Sequence, residues 1–217
     1  MPARTLVLGI ALALLLAQPG LAAADPVEAV TFSTATPYVT TGPFSAGFVF
    51  SVTVPIQVTD LGAFDLDGDG LLNTHEVGIY DNNTTDLLAS VTVTSADPLI
   101  DGFRYAPITP MTLDPSSTYI VAAGDYDGMN EDSAVLVLPA DLTVAPGILY
   151  YQGAVSQVNA GLHYPTLGFQ PDLAAFGGSF RYTVAPEPTE LELAGTSLLG
   201  LLALAWCGRS RTRAPSD

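Results

Sequence analysis

In Phe48-Val49-Phe50-Ser51-Val52-Thr53-Val54, the residues Phe48, Phe50, Val52 and Val54 alternate with Val49, Ser51 and Thr53. A period of two sends successive side chains to opposite faces of an extended chain, so the stretch reads as a strand with one face buried. Val91 and Val93 alternate with Ser90, Thr92 and Thr94 in the same way. The segments 56–64, 77–80, 103–108, 119–123, 135–138, 148–151 and 179–184 are rich in β-branched and aromatic residues and read as further strands. Between them stand the turn signals Gly42-Pro43, Asp81-Asn82-Asn83, Ala96-Asp97-Pro98, Asp114-Pro115 and Ala145-Pro146-Gly147. Nothing in 25–185 keeps a helical period for three turns and no unit repeats at a fixed spacing. The expected fold is all-β, a single antiparallel β-sandwich or jelly roll over 25–185.

The two ends differ from this middle. Residues 1–24 read as a signal peptide: Arg4, an apolar run over 6–17, the breaker Pro19-Gly20, and Ala22-Ala23-Ala24 as a cleavage site before Asp25. At the other end, Ala185-Pro186-Glu187-Pro188-Thr189-Glu190 forms a stiff polar linker, 193–207 carries no charge, and Arg209, Arg211 and Arg213 follow. As a helix those 15 uncharged residues would span ~22 Å, short of the ~30 Å of hydrocarbon, yet they have no polar face for a soluble helix, so a short transmembrane helix over 191–207 is the expectation. Trp206 lies where interfacial aromatics sit, and the arginines mark the cytoplasmic side, leaving the acidic domain outside.

The chain has 217 residues, 22 acidic and six basic, all six of them arginine, for a net charge of −16. Within 25–185 eighteen carboxylates face only Arg104 and Arg181. Such a surface repels phosphate backbones, which excludes nucleic-acid binding, and it attracts cations. The one cysteine, Cys207, lies in the terminal apolar segment, so no intramolecular disulfide can form. The core, with help from a metal, has to hold the domain together.

A metal is suggested by Asp65-Leu66-Asp67-Gly68-Asp69-Gly70-Leu71-Leu72-Asn73-Thr74-His75-Glu76. Calcium takes about six to eight oxygen ligands, and this spacing offers Asp65, Asp67, Asp69, the carbonyl of Leu71, Asn73 and a closing Glu76, with Gly70 at the sharp turn. Because the flanks read as strands, the expected role is a structural Ca2+ clamp and not a switch that moves helices. A weaker candidate is Asp125, Asp127, Asn130, Glu131 and Asp132, where Leu136 takes the place of a closing glutamate. Asp81, Asn82, Asn83 and Asp86 read as a hairpin turn. No catalytic residue stands out: His75-Glu76 lacks the second histidine of a zinc-protease helix, His163 sits in an ordinary loop, and there is no nucleophile elbow. Tyr150, Tyr151, Tyr164 and Phe169 are aromatic residues able to stack on sugar rings.

Pro186-Glu187-Pro188, the short apolar segment and the Arg209, Arg211, Arg213 cluster resemble the PEP-CTERM sorting signal of Gram-negative bacteria. That resemblance covers the last 32 residues or so and implies recognition and cleavage near Pro186, Glu187 and Pro188 by an exosortase-type membrane protease. An inner-membrane-anchored intermediate would then give a cell-surface or extracellular protein, often in organisms that make exopolysaccharide. Residues 61–80, with Leu61-Gly62-Ala63-Phe64-Asp65 and His75-Glu76-Val77-Gly78-Ile79-Tyr80, are similar to uncharacterised extracellular β-sandwich domains of such proteins. The expectation is a non-enzymatic surface or matrix protein associated with extracellular polysaccharide. A carbohydrate-binding module is the second reading, and a hydrolase with carboxylates paired only in space is the third.

Overall fold

A computed structural model describes residues 24–38, 43–127, 133–156, 160–168 and 174–184. The signal peptide, the Pro-Glu-Pro linker, the apolar segment and the arginine cluster lie outside the described residues. Among the described residues there is no helix, and so none long and apolar enough to cross a membrane.

The chain forms short β1 (Val27–Glu28), β2 (Val30–Phe32) and β3 (Thr36–Pro37), then long β4 (Pro43–Val52), β5 (Ile56–Phe64), β6 (His75–Asp81) and β7 (Leu87–Val93). β8 (Leu99–Ile100) leads into β9 (Phe103–Leu113), followed by β10 (Thr118–Asp127), β11 (Val135–Val137) and β12 (Leu142–Val144). β13 (Ile148–Ser156), β14 (Leu167–Gly168), β15 (Ala174–Phe176) and β16 (Gly178–Val184) complete it. Among the described residues all strand pairs are antiparallel. They build a five-stranded sheet β1-β16-β5-β9-β8 and a six-stranded sheet β14-β13-β4-β10-β6-β7, with smaller sheets β15-β11-β3 and β12-β2. The chain therefore crosses between the two large sheets at β4→β5, β5→β6, β7→β8 and β9→β10, and the architecture is sandwich-like, as the alternation of 48–54 predicts.

β4 supplies the centre. Phe44, Ala46, Phe48, Phe50 and Val52 share one parity and all are buried. Phe48 and Phe50 reach the opposite sheet, where Phe180 lies 6.3 and 4.7 Å from their ring centres. Full burial of each such side chain contributes roughly 1.5–3 kcal/mol. One expectation needs correcting: β4 is not half-buried, because Ser45, Val49 and Ser51 on the other parity are buried too, and the strand ends before Val54. Val49 joins Tyr80, Ile120, Ala122 and Ala154 in a second apolar cluster on the outer face of the six-stranded sheet, roofed by Leu162 and Tyr164. Burial pushes the Tyr80 phenol up to about 12, with the Glu76 carboxylate adding to the shift.

β9 also runs past its expected end at Ile108 to Leu113. Pro107 and Pro110 fit there because β8 pairs only with Phe103 and Arg104, so the outer edge of β9 beyond that point needs no ladder donors.

Candidate functional site

The segment from Asp65 to Thr74 joins β5 to β6, and so joins the five-stranded sheet to the six-stranded one. Its local geometry comes from its glycines and aspartates. Gly68 and Gly70 have φ of 77° and 126°, the region where a side chain would be strained. Asp65 Oδ1 accepts the Gly68 amide at 3.0 Å, and Asp67 Oδ1 accepts the Asp69 amide at 3.3 Å. The Leu71 side chain is buried in the main core and anchors the far side of the loop.

These turns draw carboxylate oxygens of Asp65, Asp67 and Asp69 to within 4.8 Å of one another, Asp65 buried and the other two exposed. Three negative charges at that separation repel, and a cation between them would relieve the repulsion. Part of the relief comes from a residue that no sequence motif singles out. Arg104 of β9 donates from Nε to Asp65 Oδ2 at 2.7 Å, from Nη1 to the carbonyls of Ser95 and Asp97, and from Nη2 to that of Gly68. One guanidinium thus ties the acidic loop to the turn that precedes β8.

Glu76, expected to close the ligand shell, is not among the clustered residues. It stands exposed on β6 and accepts a hydrogen bond from Ser90 Oγ of β7 at 3.0 Å. The reason is geometric, because β6 begins at His75 and strand alternation turns the next residue to the opposite face. Asn73 is exposed and engaged within the structure. Thus, of the four carboxylates expected as ligands, the structure brings Asp65, Asp67 and Asp69 together and leaves Glu76 apart.

The weaker acidic candidate starts inside a strand. Pairing of β10 with β4 slips between Ala123 and Tyr126, a bulge in which Asp125 has φ 62°. A bulge inserts a residue and re-aims the side chains after it, and here it returns Tyr126 to the core. The Asp125 carboxylate accepts the Gly161 amide at 2.5 Å, and Asp127 ends β10. Asn130, Glu131 and Asp132 lie outside the described residues.

Gly161 opens a strap, 160–168, that crosses the outer face of the six-stranded sheet. His163 N donates to Ser45 Oγ at 3.0 Å, and Tyr164 Oη donates to Asn82 Oδ1 at 2.6 Å. Glycines let the strap lie close: a methyl at Gly124 would meet the Gly161 carbonyl at 2.5 Å, and one at Gly78 would meet Leu162 at 2.7 Å. The Tyr164 ring meets Tyr80 edge-on at 5.5 Å, and partial burial, then the Asp81 charge, pushes its phenol upward.

Both histidines make contacts within the fold. His75 is fully buried, donates from Nδ1 to the Gly124 carbonyl at 2.8 Å and stacks on Tyr126 at 4.3 Å. His163 Nε2 lies 3.1 Å from the Ala160 carbonyl. Among the aromatic candidates for sugar stacking, Tyr150 packs against Phe48 and Phe176. Tyr151 is half exposed with its hydroxyl 2.8 Å from Ser51 Oγ, Tyr164 belongs to the strap, and Phe169 lies outside the described residues. Asp81 Oδ1 accepts the amides of Asn83 and Thr84, the capped hairpin turn its sequence predicts. The chain matches no protein-family model and no curated protein.

Proposed function

We propose that this chain is a non-enzymatic exported protein of the cell surface or extracellular matrix, its β-domain stiffened by calcium and its delivery governed by an exosortase-type protease acting on the tail. The observation that carries the calcium part is the convergence of Asp65, Asp67 and Asp69 at the crossing between the two large sheets. A cation there fixes a sheet-to-sheet connection in a domain whose sequence contains no cysteine to form a disulfide. Arg104 neutralises one of the three carboxylates, so a net negative charge is left for the ion. The sorting part is supported by the order of Pro186-Glu187-Pro188, apolar segment and arginines in the sequence.

Calcium at about 10 mM is expected to stabilise the purified protein by roughly 1.5–3 kcal/mol, given the ~10⁻⁴–10⁻³ M affinity of extracellular modules. In a thermal melt that corresponds to a rise of about 3–10 °C. Asp67→Asn combined with Asp69→Asn should remove the rise, whereas Glu76→Gln should keep it, because Glu76 is held by Ser90. A melt that is the same in calcium and in chelator would reject the clamp.

For the tail, replacement of Pro186, Glu187 and Pro188 by alanine should trap an uncleaved form in the membrane fraction, read by immunoblot of fractionated cells. Release at the normal size and rate would overturn the sorting reading.

A further inference from the structure

The strap leaves a groove of about 270 Å³ between itself and the sheet it crosses, lined by Val49, Asn82, Ile120, Gln152, Ala154 and Tyr164 to Thr166 with Gly168. Its chemistry is divided. Val49, Ile120 and Ala154 form an apolar floor from three neighbouring strands, β4, β10 and β13. The rim is polar and uncharged: the amides of Asn82 and Gln152, the Tyr164 phenol and the Thr166 hydroxyl. In a protein of net charge −16 this lining contains no carboxylate and no arginine.

Two of the rim groups are held in place and a third is free to act. Asn82 is fixed by its Nδ2 on Thr118 Oγ1 at 3.3 Å and by the Tyr164 hydroxyl on its Oδ1. Gln152 comes just after the bulge at which β13 slips against β4, and it pairs with Val49 on the outer face. Its amide lies flat against Gly168, where an added methyl would meet Nε2 at 2.7 Å. It makes no side-chain hydrogen bond among the described residues and is partly exposed, so its donor and its acceptor are open to a ligand in the groove.

An apolar floor with a rim of neutral donors and acceptors matches a ligand that has one C–H face and an edge of hydroxyls. Ions are poorly served, because the lining offers nothing to neutralise either sign, and Asp81 beside Tyr164 disfavours anions further. A volume just under the ~300 Å³ at which pockets for larger ligands begin suits one ring and not an oligosaccharide.

We infer that this groove is a subsite for a single neutral sugar residue, with Gln152 and Asn82 meeting its hydroxyls and Val49, Ile120 and Ala154 its apolar face. It is independent of both the calcium clamp and the tail. Gly168 leaves room there for the Gln152 amide, and Tyr164 acts by positioning Asn82 as well as by bounding the groove.

The test is a titration of the ¹⁵N-labelled protein with methyl glucoside, methyl galactoside and methyl mannoside, each beside glucuronate, with the side-chain amide signals of Gln152 and Asn82 as reporters. At least one neutral glycoside should shift both signals saturably. Glucuronate should bind about tenfold more weakly or not at all, and Gln152→Ala should weaken the neutral glycoside by up to about tenfold with an unchanged melting temperature. Absence of saturable shifts at roughly 100 mM of every neutral sugar would overturn the subsite. So would binding that Gln152→Ala leaves intact, or preference for glucuronate.

Discussion

Replacing Arg104 with methionine is expected to remove roughly 3–5 kcal/mol of folding stability, the cost of leaving a buried charge without its partner. The Asp65 side chain is 1% exposed and that of Arg104 12%, so water cannot take the place of the guanidinium. The loss goes beyond one ion pair, since the carbonyls of Ser95, Asp97 and Gly68 lose a donor with it. Arg104→Lys should fall between wild type and methionine, because an ammonium keeps the charge but cannot fork toward three carbonyls and a carboxylate together. Adding Asp65→Asn to Arg104→Met should recover part of the loss by removing the stranded carboxylate. Urea denaturation of the single and double variants measures this directly, and strictly additive losses for Asp65→Asn and Arg104→Met would show that the two side chains are not coupled.

That residue shows where the sequence stops being legible. The acidic loop is local, and the spacing of Asp65, Asp67 and Asp69 with Gly70 already points to the three carboxylates that meet. Arg104 is 39 residues away from Asp65 and arrives only through the pairing of Ala63 with Arg104 across β5 and β9, a register no local pattern encodes. Glu76 departs from its expected place for a related reason. In a helix-flanked loop the twelfth residue turns back to the ion, whereas here the chain leaves as a strand and Glu76 points to Ser90.

The same distinction holds for the fold. The long strands β4, β5, β6 and β10 announce themselves by alternation or by β-branched and aromatic content, but β1, β3, β8 and β14 have two residues each, too few for any period to show. Burial of both faces of β4 is hidden from a local reading because the cover comes from 160–168, more than a hundred residues on. Apolar Val49, Ile120 and Ala154 on the outward parity are the signal that something lies over them.

Tyr126→Ala should cost about 3–5 kcal/mol, the range for emptying a large buried aromatic site. Tyr126 is fully buried, has its ring centre 6.0 Å from that of Phe44 and 4.3 Å from that of His75, and sits at the bulge of β10. Its hydroxyl crosses to the other sheet, meeting the Phe64 amide and the Gly177 carbonyl, both at 2.9 Å. Phe64 precedes Asp65, so this ring also fixes the point from which the acidic loop departs. Tyr126→Phe separates the two contributions. The Phe64 amide keeps the Gly177 carbonyl as acceptor at 2.9 Å, so loss of the hydroxyl alone should cost only ~1 kcal/mol. If packing of the ring is what joins the sheets, the phenylalanine variant will melt near wild type and retain its calcium response while the alanine variant loses both. Equal destabilisation by the two substitutions would instead assign the joint to the hydroxyl.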